Sequence, residues 1–458
     1  MRQLRFLLIF IALFILLSCK SSTEPSSDGS QSNNQYGTPY ANVPATKDII
    51  MYEVNIRAFG PSNNFQSVIS RLDSIKALNV NVIWLMPIYP IGKEKSVNSP
   101  YCIKDFKGVN PEFGTLSDLR QLVELAHSKN MAVILDWVAN HTSWDNSWIS
   151  NKNWYSLDQL GNIIIPPGTN WQDVAELNYD NLDMQNAMID AMKYWIYQAN
   201  IDGFRCDAAD MVPYVFWKQA IEELNKITTH KLIFLAEGNR NDHFNAGFHI
   251  NYSWDFYGKL KEVFAGTSSI ANLFNTHLIE FASIPQNGNK LRFTTNHDES
   301  AWDKTPINLF NGKKGALSAS FISIFLGGVP LIYGTQEVGV ANNVPFFNNT
   351  NTDWSANYDM FSEYKKLLSL YSGDPINKVK TINTYYNNSI VAFSKNINKD
   401  YIIYLANIKN STQNFTFPSN FPIKKGINVL TNSPINATGN IALNAYEYLM
   451  IKGNTDDI

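Results

Sequence analysis

From about Asp48 onward, short apolar runs alternate with longer stretches in which apolar residues return every third or fourth position. Eight runs rich in β-branched and aromatic residues stand out: IIMYEVNI (49–56), VNVIWLMP (80–87), MAVILDWV (131–138), IDGFRC (201–206), KLIFLAE (231–237), AGFHINY (246–252), LRFTT (291–295) and VPLIYG (329–334). Near-continuous apolar runs of this length suit parallel strands covered on both faces. Between them, LSDLRQLVELAHSK (116–129) and VFWKQAIEELNKI (215–227) carry the period of amphipathic helices. Eight strands alternating with helices predict an α/β fold of the (β/α)8 TIM-barrel type. An open, doubly wound sheet produces the same alternation and stands as the rival architecture.

One connection breaks the rhythm. Residues 141–178 are far longer than a usual strand-to-helix loop and hold Trp144, Trp148, Trp154 and Trp171. They predict an inserted subdomain whose tryptophans chiefly pack its own small core rather than serve as sugar platforms. The barrel then occupies 47–140 and 179–374, closing with a helix at 357–371. Beyond it, NSIVAFSKN, DYIIYLANI, QNFTFPS, INVLTN and NAYEYLMIK are strand-like runs separated by Asn-rich turns, predicting an all-β, Greek-key-like domain over 375–458.

The chain begins with MRQLR and an apolar run from Phe6 to Leu17, the form of an export signal over residues 1–18. Leu16-Leu17-Ser18-Cys19 resembles a bacterial lipobox, so Cys19 is expected to carry lipid after cleavage. Residues 19–46, rich in Ser, Asn and Pro, read as a disordered tether. The expectation is an exported protein held by its lipid on the periplasmic or cell-surface side of a bacterial membrane.

Of 458 residues 45% are hydrophobic, enough for one large domain and a smaller one. Basic and acidic side chains number 37 and 40, without a long basic run, which argues against nucleic acid as a partner. The composition is silent on oligomeric state. Cys102 and Cys206 are too few for a disulfide framework in an exported chain of this size and are expected to be free and buried.

In a βα barrel the chemistry gathers at the C-terminal ends of the strands. Strand three delivers Asp136, Asn140 and His141 there, strand four Arg205 and Asp207, strand five Glu237, and strand seven Asn296, His297, Asp298 and Glu299. Alternation along strand four sends Arg205 and Asp207 to one side and Cys206 to the other, into the strand–helix layer. Arg205 is expected to keep Asp207 anionic, while Glu237, less directly paired, has its pKa raised and serves as a general acid. Such a divided pair suits retaining glycoside hydrolysis, with one carboxylate attacking the anomeric carbon and the other protonating the leaving oxygen. A metal site is the competing use of grouped acids and histidines, and Arg205 in its midst argues against it.

DWVANH, GFRCDAAD, FLAEG and FTTNHDE, in this order, together with GVPLIYGTQEVG (328–339) and SPYCIKDFKGVNPEFGT (99–115), resemble the motifs of the α-amylase family of retaining glycoside hydrolases. The resemblance runs from about Asp48 to the end. It implies Asp207 as nucleophile, Glu237 as general acid and then base, and Asp298 as a third acid on the ring hydroxyls. It further implies that His141 and His297 hydrogen-bond the same sugar, that Arg205 positions Asp207 and that Tyr101 stacks on the ring. Asp136 is expected as a buried partner of Arg205. Asn140 matches a structural calcium ligand of many members, but Glu176 stands where Asp is usual and Met211 where His is usual. A backbone carbonyl is left to complete such a site, so a structural calcium stays open while the chemistry calls for no cofactor.

The implied activity is cleavage of internal α-1,4 bonds in starch-like polymers and maltooligosaccharides. An α-glucosidase, a neopullulanase-like enzyme or a transglycosylase would carry the same triad. A non-catalytic surface glucan-binding protein is the alternative from another class. Asp210 has no role in this scheme beyond a helix N-cap after Pro213 or a contact to the insert.

Overall fold

Each of the eight apolar runs contributes a short strand to a closed parallel barrel in the computed structural model, which describes residues 35–456. The strands are β1 (Met51–Val54), β2 (Val82–Leu85), β3 (Ala132–Trp137), β4 (Gly203–Cys206), β5 (Ile233–Ala236), β6 (Ile250–Tyr252), β7 (Asn289–Arg292) and β8 (Val329–Tyr333). Pairing of β1 with β8, Met51 opposite Leu331, closes the ring and rules out the open doubly wound sheet. Met51, Trp84, Ile134, Leu235, Leu291 and Leu331 fill the interior of the barrel, and the alternate strand residues pack outward under the helices. β7 ends at Arg292, earlier than its apolar run suggested, with Pro330, which lacks an N–H, opposite it in β8.

The helix Leu116–Ser128 follows its sequence signals closely: the Thr115 hydroxyl accepts from the Asp118 N–H, and the Asp118 carboxylate accepts from the Thr115 N–H. Gly203 opens β4 with φ +143°. A Cβ there would lie 1.9 Å from the Ile233 carbonyl oxygen, so only glycine lets β4 and β5 approach this closely just below Arg205.

The connection after β3 is a small subdomain built on a two-stranded ladder, His141–Ser143 against Val174–Glu176. Trp148 and Trp154 meet edge to face at 5.2 Å over Phe106, as expected of packing tryptophans, whereas Trp171 is 37% exposed. Its outer turn is organised by Asp158, whose carboxylate accepts from the N–H groups of Leu160 and Asn162.

The C-terminal residues form a six-stranded antiparallel sheet in which Tyr448–Asn454 lies between Asp400–Asn407 and Lys425–Asn428. A two-stranded sheet, Gln413–Thr416 with Asn440–Leu443, packs on it through Phe415, Leu443 and Ile403. The helix Lys313–Leu326 joins this domain to the barrel: Ser318 Oγ donates to Asn407 O and Phe321 stacks on Tyr448 at 4.7 Å.

The tether expected over residues 19–46 differs in its last part. Tyr36 N–H donates to Tyr197 O, Arg120 lies 3.9 Å over the Tyr36 ring, Tyr40 stacks on His127 at 4.4 Å, and Val43 is buried. Two tyrosines and a valine supply contact surface that an average over a polar segment conceals. The signal over 1–18 and the lipid site at Cys19 lie outside the described residues. Among the described residues no helix is long and apolar enough to cross a membrane.

Candidate functional site

The charged residues at the ends of β3, β4, β5 and β7 converge on one cleft of about 860 Å³. Asp207, Glu237 and Asp298 line it, with Tyr101, His141 and His297. One wall comes from the insert, through Trp171, Gln172 and Asp173. Another comes from the segments after β7 and β8, through Trp302, Phe346 and Phe347.

Arg205 is the hub. β3 and β4 set Asp136 directly beside it in the ladder, and both side chains are fully buried. Its Nη1 donates to Asp136 Oδ1 at 2.8 Å and to Asp207 Oδ1 at 2.9 Å, and its Nε reaches the Tyr252 hydroxyl at 3.3 Å. Nη2 lies 2.9 Å from Glu237 Oε1, although its N–H makes no aligned hydrogen bond among the described residues. Glu237 is therefore more directly paired than the sequence suggested, by charge rather than by a directed bond. Asp136 also accepts from Trp84 Nε1 and the Tyr101 hydroxyl, each at 3.1 Å, which fixes it as a buried structural partner.

One guanidinium holding Asp207 and Glu237 by its two ends fits the roughly 5 Å separation of a retaining carboxylate pair. Glu237 is steadied from the other side by the Ala208 N–H, 2.7 Å from its Oε2, a bond that the left-handed backbone of Ala208 (φ 42°) makes available.

Burial pushes the Asp207 carboxyl up to about 6, against the pull of Arg205 and with the help of Asp136 and Asp298. Removal from water outweighs the shared cation, yet a carboxyl that loses its proton near 6 is still mostly anionic at neutral pH, as expected of a partner of Arg205. Burial, again opposed by Arg205 and reinforced by Asp207 and Asp298, pushes Glu237 up to about 7. The order agrees with the anticipated division of labour, since Glu237 releases its proton after Asp207.

The two histidines take opposite states. Burial lowers His141 to about 4 and keeps it neutral. Burial would lower His297 too, but Asp298 and Glu53 overcome it and hold His297 at about 9. Its Nδ1 meets Glu53 Oε1, and its Nε2 lies 2.7 Å from the Tyr101 hydroxyl and 3.4 Å from Asp298. Tyr101 is stacked against His297 at 5.4 Å. Glu53 and Tyr252 escaped the sequence reading; the available signal was a lone Glu inside the apolar run of β1.

Cys206 turns into the strand–helix layer, and both Cys102 and Cys206 are free and buried. Burial pushes the Cys102 thiol up to about 12, so neither geometry nor charge prepares it as a nucleophile. Asp210 does not cap the helix after Pro213, which has no side-chain cap bond. Its carboxylate accepts from the N–H groups of Asn239 and Arg240 and lies 3.2 Å from His243 Nε2, tying the loop after β4 to the loop that follows Glu237. Gly238 makes room for it, since a Cβ there would come within 2.3 Å of Asp210 Oδ1.

Asn140 and Glu176 sit on adjoining segments of the insert ladder: Leu177 N–H donates to Asn140 O, and His141 pairs with Glu176. The Asn140 amide nitrogen is 3.3 Å from His141 Nδ1, and Met211 lines the cleft. Among the described residues no three His, Cys, Asp or Glu side chains gather to hold a metal. Glu176 is the single carboxylate of this candidate set, and the six to eight oxygens that calcium takes would have to come mainly from backbone groups.

Comparison with known proteins gives a concordant result. The model of the alpha amylase catalytic domain matches residues 31–159 and 169–275. Alpha-amylase 3 of Dictyoglomus thermophilum is 28% identical over 347 residues, covering 66% of each chain. The chain thus spans about two thirds of that curated relative's length, and less than half of a second, alpha-amylase MalA of Haloarcula japonica, at 46%. Among solved structures, an alpha-amylase from Lactobacillus plantarum superposes with a TM-score of 0.81 at 27% identity, covering 89% of this chain and 99% of its own.

Proposed function

Since the chain belongs to the alpha-amylase family, we propose that it hydrolyses internal α-1,4-glucosidic bonds in starch-like polysaccharides and maltooligosaccharides, with retention at the anomeric carbon. The observation that carries this reading is the grip of one buried guanidinium on Asp207 and Glu237 at the cleft.

In the first half of the reaction an Asp207 oxygen bonds to the anomeric carbon as the bond to the glycosidic oxygen breaks. Glu237 gives its proton to that departing oxygen. In the second half Glu237, now a carboxylate, takes a proton from water, whose oxygen bonds to the same carbon and frees Asp207. Asp298 accepts hydrogen bonds from ring hydroxyls. His297, cationic and braced by Glu53, donates to them, while neutral His141 bonds the same sugar from the insert side. Arg205 stays in place and positions both acids. None of these steps requires a cofactor.

A cleft of about 860 Å³, near the upper end of the roughly 300–1,000 Å³ range of small-ligand sites, has room for more than one sugar ring. Its two walls come from separate parts of the chain, which suits a substrate that runs on past the scissile bond. Chromatography of products from soluble starch, pullulan and maltoheptaose tests the reading: early release of mixed maltooligosaccharides from starch is expected. Release of glucose alone would replace it by an α-glucosidase, dominant transfer products by a transglycosylase, and binding without cleavage by a non-catalytic glucan-binding protein.

The address belongs to the same proposal. A cationic start, an apolar run and Leu-Leu-Ser-Cys support export and lipid attachment at Cys19. Replacing Cys19 by Ser is expected to move the protein from the membrane fraction to the soluble one in a bacterial host; equal membrane retention of both forms would count against the anchor.

A further inference from the structure

The three residues that follow Asp207 all hold Glu237 or the loop after it. The Ala208 N–H donates to the Glu237 carboxylate at 2.7 Å, and the Ala209 N–H donates to the Glu237 carbonyl at 2.9 Å. The Asp210 carboxylate accepts from the N–H groups of Asn239 and Arg240 at 3.1 and 3.4 Å, and Arg240 Nη1 donates back to Asp210 O at 2.8 Å. From its other side β6 holds the carbonyls of the same loop, the Tyr252 N–H donating to Gly238 O and Asn251 Nδ2 to Arg240 O. The contacts of Ala208 and Ala209 are made by backbone and ask for no particular side chain. The third contact depends on the carboxylate of Asp210.

Gly238 sharpens that dependence. It directly follows Glu237, and at φ +148° it is held by no steric limit of its own, so the junction takes its setting from its neighbours. The Asp210 carboxylate occupies that space, 2.3 Å from where a Cβ of residue 238 would stand. The Asp210 side chain is 37% exposed at the cleft, yet both its oxygens face protein donors: Oδ2 meets Asn239, and Oδ1 meets Arg240 with His243 Nε2 at 3.2 Å. His243 is itself fully buried, and Arg240 is kept in place by Asp242 at 2.9 Å.

We propose that Asp210 is a positioning residue for the general acid: by gripping residues 239 and 240 it sets the Glu237 carboxyl between the Ala208 N–H and Arg205, across from Asp207. The inference rests on the reading of Glu237 as general acid and adds the group that aims it. In this role Asp210 touches neither the sugar nor a reacting atom.

The test compares Asp210→Ala and Asp210→Asn with the wild type on maltoheptaose and on α-maltotriosyl fluoride, whose fluoride departs with little need of a proton. Asp210→Ala is expected to lower kcat on maltoheptaose roughly 10- to 100-fold, the cost of an acid set about 1 Å astray, with KM within about twofold. Its rate on the fluoride should stay close to that of the wild type. The alkaline limb of its pH profile should move to higher pH, because a slackened Ala208 N–H and Arg205 favour the Glu237 anion less against Asp207 and Asp298. Asp210→Asn, whose amide oxygen still accepts, should recover most of kcat and the original limb. Asp210→Ser, too short to reach both N–H groups, should repeat the Ala signature and serves if Asp210→Ala does not fold. With an active wild type, an unaltered kcat and limb in the Ala and Ser variants would overturn the positioning role alone. So would an equal loss on the fluoride, a loss in KM only, or an Asn variant as slow as Ala. A wild-type protein that cleaves neither substrate would overturn the functional reading and this role together.

Discussion

Replacing Asp207 by Asn is expected to lower starch hydrolysis by at least about 1,000-fold with the fold intact, because the carboxylate that must bond to the anomeric carbon becomes an amide. The substitution is close in shape, and Arg205 keeps Asp136 and Glu237 as partners, so circular dichroism and the melting temperature should stay near those of the wild type. The wild-type pH profile provides an independent check on the same residue. Activity should rise as Asp207 loses its proton through about 6 and fall as Glu237 loses its own through about 7, giving a narrow bell whose two limbs belong to the pair. A residual rate in Asp207→Asn within tenfold of the wild type would remove Asp207 from the role of nucleophile.

The second large effect is on stability. Arg205→Met keeps the length of the side chain but withdraws the cation shared by Asp136, Asp207 and Glu237. Breaking a buried ion pair from one side costs about 3–5 kcal/mol, because the abandoned charge remains buried. Here Asp136, fully enclosed, is the carboxylate left worst off. The loss should depend on pH in a definite sense. Asp136 and Asp207, raised to about 6, and Glu237, raised to about 7, favour the folded state most when protonated, and that contribution disappears as pH rises through 6 to 7. Without Arg205 these groups are raised further, so the variant should melt much lower than the wild type at pH 8 and closer to it at pH 5. A constant difference in melting temperature across that range would show that Arg205 acts through packing rather than charge.

The barrel strands were legible because each is covered on both faces and therefore apolar throughout, as in VIWL of β2 and IFLA of β5. Their closure was not legible, since it depends on the pairing of Met51 with Leu331, residues 280 positions apart, that no local pattern encodes. The acids of the site were legible for a related reason: a charged residue that terminates an apolar strand stands out. Glu53 did not stand out, because it lies within such a strand and its partner His297 is far away in sequence. Asp210 illustrates a second limit. Its role was sought on its own element, whereas its partners are backbone N–H groups on the loop after β5, and an N–H has no side-chain signature. For Asp207 the missing information was the amount of burial, which decides whether Arg205 or desolvation prevails.

The outer turn of the insert offers a practical handle. Asp158 organises it locally, Leu160 at its tip is 87% exposed, and the Leu157–Ile163 bridge closes it before the chain returns to the ladder. Exposed turn tips are the places where chains accept additions most readily. A fluorescent reporter on a cysteine placed at Leu160, or a short affinity peptide spliced in there, would ride on the same subdomain that walls the cleft without touching it. With Cys102 and Cys206 buried, such a cysteine would be the accessible thiol among the described residues. The turn thereby becomes a point of attachment for labelling or immobilising the protein with its cleft left open.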